Sequence, residues 1–201
     1  MRYIVPVLIV IIIVLVAALS FTLGKGGSRF PGVTSQVSPT LTASPTPTST
    51  SAPKDTKKVT GGGILSFPKW QLLVPIDWQE SREAMGPDAE KVILTKGDYE
   101  VSITQGGFGG AACLYPGDAD IEGPSARYEN YKDITTQSAD PFRRSWTGDE
   151  LTATGFGICQ NTQYGWGVPT LYGHIAFITP AAKTKVMLEE MDTILSSLTK
   201  I

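Results

Sequence analysis

From Ile4 to Leu23 the chain carries no charge, and only Pro6, Ser20 and Thr22 interrupt its apolar side chains. No other feature constrains the fold as strongly. An uncharged apolar run of about 20 residues is too long to be displayed to water. As a helix rising roughly 1.5 Å per residue it spans roughly 30 Å, the hydrocarbon thickness of a bilayer. Pro6 falls in the first turn of that helix, where the missing N–H costs little. A cleaved secretory signal has a shorter apolar region and a small-x-small cleavage site. Here the site would have to use Val16 and Ala18, and no cysteine follows the run to accept a lipid; the first is Cys113. Residues 1–24 therefore read as an uncleaved single-pass anchor, with secretion after signal cleavage as the alternative. Arg2 and the amino terminus stand before the span, and Lys25 and Arg29 behind it. The positive-inside balance is thus nearly even. The rest of the chain sets the orientation: a stalk and a cysteine pair suit the outside, hence a cytoplasmic N-terminus and an extracytoplasmic domain.

Residues 25–60 hold almost no large apolar side chains, and 38–51 are Ser/Thr/Pro low complexity. Such a segment cannot bury enough surface to offset its ordering entropy. Its prolines favour extended conformations. It reads as a disordered linker or stalk, with O-glycosylation a compositional option. Charge divides at the same boundary. Residues 1–60 contain six Lys/Arg and one acid, Asp55; the chain totals of 17 and 19 leave 11 basic and 18 acidic residues in 61–201, about −7. An acidic domain lacks the electrostatic footprint of a nucleic-acid binder.

Residues 62–201 are long enough for a real core. Ile64–Phe67 and Trp70–Val74 read as extended pieces, and Pro75–Trp78 as a turn into another. Lys91–Thr95 and Tyr99–Gln105 flank a short turn at Lys96-Gly97-Asp98. In the second run Tyr99, Val101 and Ile103 alternate with polar residues, the period of a strand with one buried face. Leu171–Ile178 reads as a further strand. From about Ala181 to Leu198 the period becomes helical: Val186/Met187, Met191, Ile194/Leu195 and Leu198 fall on one face. Strands first and a closing amphipathic helix predict an α+β domain, an antiparallel sheet with packed helices.

The opening Phe67-Pro68-Lys69-Trp70-Gln71-Leu72-Leu73-Val74-Pro75-Ile76-Asp77-Trp78 resembles the start of PsbP/Mog1-like domains. The ending is similar too: an apolar strand over 172–178, a proline, and a helix finishing Ile194-Leu195-Ser196-Ser197-Leu198. The resemblance covers the two ends and leaves 105–165 unmatched. It implies an α/β/α sandwich of a kind used mostly for binding, whose members dock on different partners, so it transfers no function.

Cys113 and Cys159 are the only cysteines. In an oxidising compartment an even pair implies a disulfide; free buried thiols or a catalytic cysteine are the alternatives. The bridge would tie the Gly-rich segment to that near Gly155-Phe156-Gly157. Asp118, Asp120, Glu122 and Glu129, with Gly123 at the sixth place, have the spacing of a calcium loop. Against it stand Ile121, Pro124 and Ser125, and an acidic surface loop is the competing reading. Gly106–Gly110 lacks the helix N-terminus and Lys or Ser/Thr of a phosphate cradle, so it reads as a wide turn presenting Phe108. His174, the single histidine, excludes a two-His metal site and reads as a core or edge residue with a hydrogen-bond partner. Trp146, Tyr164, Trp166 and Tyr172 either pack in the core or, on loops, suit glycan stacking or a protein interface.

No catalytic or cofactor motif emerges. The expectation is a non-catalytic binding module for a protein or cell-surface polymer. The alternatives are an envelope hydrolase using acidic residues and a structural subunit of a membrane complex. Calcium is the one cofactor suggested.

Overall fold

The alternation at Tyr99–Gln105 becomes the fifth of thirteen strands in a computed structural model that describes residues 55–201. The proposed membrane span, its orientation and most of the linker lie outside the described residues. In chain order the strands are β1 Thr56–Gly62, β2 Lys69–Pro75, β3 Gln79–Ala84, β4 Glu90–Lys96, β5 Tyr99–Gln105, β6 Ala111–Leu114 and β7 Ser125–Arg127. There follow β8 Asn130–Thr135, β9 Pro141–Trp146, β10 Phe156–Thr162, β11 Gly165–Val168 and β12 His174–Ile178. The helix α1 spans Lys185–Ser196, and β13 Thr199–Lys200 ends the fold.

These strands form two sheets, β1-β2-β13 and a ten-stranded sheet ordered β3-β4-β5-β12-β10-β11-β6-β7, with β9 on β10 and β8 on β9. The expected antiparallel sheet needs two corrections. The pair β6–β7 is parallel, because residues 115–124 return the chain to the same end before β7 starts. And α1 is the sole α-helix among the described residues, so "packed helices" becomes one helix on a mostly β domain.

The β4–β5 hairpin forms as its sequence predicts, Lys96 opposite Tyr99. Gly97, at φ 57°, takes the left-handed turn position that a side chain would resist. In β2, Trp70, Leu72 and Val74 are buried on alternate residues. Residues 64–67 form a turn rather than a strand, closed by Phe67 N–H to the Ile64 carbonyl at 3.0 Å. The strand that pairs with β2 is β1, drawn partly from the stretch that composition reads as linker. β1 buries Val59 alone among its side chains, pairs its backbone with β2, and donates from the Lys57 ammonium to the Trp78 carbonyl at 2.5 Å.

The helix begins later than its apolar period suggests. Thr184 caps it, its hydroxyl accepting from Met187 N–H at 3.3 Å. Just before the cap, Lys183 is buried and its ammonium donates to the carbonyls of Ala153 (2.6 Å), Ala181 (3.3 Å) and Leu151 (3.4 Å). Leu188, Met191, Ile194 and Leu195 enter the main core, which also draws on Trp70, Leu72 and Val74 of the small sheet and on Val101, Ile158 and Phe177 of the large one. At the open edge of the large sheet every residue of β3 is exposed, and Glu80, Arg82 and Glu83 make that edge a poor template for another chain.

Candidate functional site

Cys113 of β6 and Cys159 of β10 are joined by a disulfide, S–S 2.04 Å, with their Cα atoms 6.4 Å apart. With Tyr115 they form a second, small buried cluster, against which Tyr128, Trp166 and Val168 pack. Tyr128 fits because Gly157 has no side chain: a Cβ there would sit 2.1 Å from the phenolic oxygen. Burial raises the pKa of both Tyr115 and Tyr128, keeping them neutral; Tyr115 also shares a 2.8 Å hydrogen bond with Ser145.

Arg143 of β9 lies over this cluster. Its guanidinium is 3.8 Å from the Tyr131 ring centre, 4.0 Å from Trp166 and 4.7 Å from Tyr115. Its Nε donates to Asp133 at 2.9 Å. Burial works to lower the Arg143 pKa, but the hydrogen bond and charge of Asp133 outweigh it and hold it above the ordinary value. A cation between two rings favours both faces electrostatically and fixes the planes that hold it. Trp166 is therefore held rigidly from behind.

In front of it runs a groove of about 530 Å³, lined by residues 111–112 of β6 and 162–169 of the β10–β11 hairpin and its exit. Its shape follows from the sequence of β11. Side chains alternate along a strand, so Gly165 and Gly167 share one face and leave it as bare backbone, while Trp166 and Val168 take the other. Across the register, Gly167 stands opposite Ala112 and Val168 opposite Ala111, again small. At the hairpin tip Thr162 accepts from Tyr164 N–H (3.2 Å) and donates to the Gly165 carbonyl (3.1 Å), and this turn holds Tyr164 out with 90% of its surface exposed. No residue lining the groove bears a charge.

A second cleft, about 340 Å³, lies by α1 and is lined in part by Lys132, Arg144, Glu150, Lys185 and Glu189. Arg144, 1% exposed, makes a two-pronged pair with Asp192 (2.7 and 3.1 Å) and a third bond to Glu150 (2.6 Å). Burial acts to lower the Arg144 pKa, and the two carboxylates overcome that and raise it. Lys132 also reaches Asp192, at 2.8 Å. The two acids of this cleft are thus partners of cations, Glu150 of Arg144 and Glu189 of Lys185.

The proposed calcium ligands are not brought together. Asp118 accepts from Tyr115 N–H at 2.7 Å, as a turn cap does. Asp120 pairs with Arg127, whose guanidinium also donates to the Asp118 carbonyl. Glu129 turns away to accept from Gly148 N–H at 2.9 Å, and Glu122 is exposed. Among the described residues no three His, Cys, Asp or Glu side chains converge as a metal site. His174 starts β12 with Phe108 edge-on at 6.0 Å, and among the described residues its buried Nε2 has no hydrogen-bond partner of the kind expected from the sequence. Of the four late aromatics, Tyr172 is core, Trp146 stacks on Arg144 (5.1 Å), and Tyr164 and Trp166 belong to the groove. Sequence reasoning missed Arg143, Tyr115, Tyr128 and Tyr131, which come from separate strands and loops. Its one available signal was the Gly-x-Gly of 165–167 beside two aromatics.

No family model, no curated protein and no solved structure matches this chain.

Proposed function

We propose that the protein is a non-catalytic binding module, held outside the cell by an N-terminal membrane anchor, that engages a surface polymer or a protein through the face of the β10–β11 hairpin. The carrying observation is the groove beside β11: an uncharged lining with Tyr164 extended at one end and Trp166 braced by Arg143. An exposed aromatic such as Tyr164 offers contact area at small entropic cost, and the half-buried, braced Trp166 beside it loses little ordering entropy on binding. The disulfide suits an oxidising compartment, which supports an extracytoplasmic domain. Hydrolysis by acidic residues has the cleft with Glu150 and Glu189 in its favour, but Glu150 is held there by the buried Arg144 at 2.6 Å.

A photo-crosslinking amino acid placed at position 164 of the full chain, in the native cells, tests this reading. The expected result is a discrete polymer or protein adduct that does not form from position 81, on the exposed strand β3. Equal labelling from both positions, or no adduct from position 164, would refute it.

A further inference from the structure

Building on the binding-module reading, we infer that the ligand of this groove is a neutral pyranose chain. Charge decides first. A polyanion needs a cation, and none lines the groove. Arg143, stacked on Trp166, is committed to Asp133 and to three ring faces. The surrounding domain is about −7, which repels an anionic polymer further. A polycation would be drawn to carboxylates, and none lines the groove either.

Shape decides next. An apolar peptide buries large aliphatic side chains in matching hollows, and here Val168 and Pro169 are the only aliphatic side chains larger than alanine. A pyranose has a flat face of C–H bonds and a rim of hydroxyls. The exposed ring of Tyr164 suits the first. The second needs donors and acceptors that are both present and neutral. Gln163 supplies an amide that engages no partner among the described residues, and the glycine positions of β11 bring backbone close to anything lying on them. The groove volume, about 530 Å³, falls within the range of roughly 300–1,000 Å³ usual for small-ligand sites. It is partly open at the surface, which gives a polymer segment access.

Recognition of this kind has a distinct signature. It depends on the Tyr164 ring and not on its hydroxyl, and with no charges paired it is nearly independent of salt. The test uses the full chain in detergent micelles, titrated calorimetrically with cellohexaose, xylohexaose, mannohexaose and the N-acetylglucosamine hexamer. An oligogalacturonate and a proline-rich peptide serve as charged and peptide comparisons. The expected result is saturable binding of at least one neutral hexamer, unchanged by salt, kept by Tyr164→Phe and weakened at least tenfold by Tyr164→Ala. Since Tyr164 is 90% exposed, its removal leaves the fold intact. Ser81→Ala on β3 should have no effect. Failure of every neutral hexamer, preference for the oligogalacturonate or the peptide, or full binding by Tyr164→Ala would overturn the inference. A protein adduct from position 164 without sugar binding would sink the sugar alone. Absence of both would sink the binding-module reading with it.

Discussion

Breaking the Cys113–Cys159 link should remove about 4 kcal/mol of stability. The bridge closes a loop with a sequence separation of 46. In the chain-entropy treatment a cross-link lowers the denatured state's entropy by about 2.1 + 1.5R ln n cal/mol/K, which for this loop gives about 4 kcal/mol at 25 °C. The comparison is between oxidised protein, protein reduced and kept reduced, and the Cys113→Ala/Cys159→Ala variant, each unfolded in urea. With a urea slope of about 2 kcal/mol per M, the midpoint should fall by about 2 M. The alanine variant should lose somewhat more than the reduced protein, because both sulfurs are buried and their removal leaves small cavities. The mechanism acts through the unfolded chain, so the native near-UV spectrum should hardly change and the slope should rise as the released chain expands. A loss below about 1 kcal/mol on reduction would refute the loop-entropy argument. A large loss with an altered native spectrum would show instead that the bridge shapes the folded state around Tyr115 and Trp166.

Three other outcomes are expected. Arg144→Met should cost about 3–5 kcal/mol, since it leaves Asp192 buried with only Lys132, and Arg144→Met/Asp192→Leu should recover most of it; additive losses in a double-mutant cycle would contradict the pairing. The Tyr172 phenol, raised to about 12 by burial and by donating to Asp140, is stabilised in its protonated form. Its contribution is therefore complete below pH 10 or so and is lost as pH rises through about 12, on the order of 2–3 kcal/mol. Tyr172→Phe should flatten that part of the stability curve, even though Tyr115 and Tyr128 titrate in the same direction; an unchanged alkaline slope would oppose the assignment. Millimolar calcium should leave the melting temperature where EDTA leaves it, because Arg127 sits among Asp118 and Asp120 and Glu129 caps Gly148; a rise of several degrees would restore the calcium loop.

Local patterns in the chain were enough to specify the β4–β5 hairpin, the extended run of β2 and the amphipathic stretch of α1. In each, neighbours in sequence share one environment, so the period reports it. The cysteine pair was legible by parity alone. The site was legible only in part: Tyr164 and Trp166 stood out as aromatics among glycines, with nothing to say whether they faced the core or solvent. The calcium spacing shows the converse hazard, for carboxylates at the right intervals converge only if the backbone curls around them. Here residues 115–124 instead carry the chain across to a parallel strand.

Residues 4–23 and the Ser/Thr/Pro stretch give the expectation of an anchored, stalked domain from composition alone, because apolar length and ordering entropy are properties of a segment by itself. What the tertiary structure decided is everything that depends on distant partners. A polar segment, Thr56–Gly62, became a strand because the backbone of β2 was there to pair with it. Arg143 became a brace because Tyr131, Trp166 and Tyr115, remote in sequence, met around it. The groove exists because Gly167 of β11 fell opposite Ala112 of β6 in register, and small side chains leave no periodic signal by which a sequence could announce them.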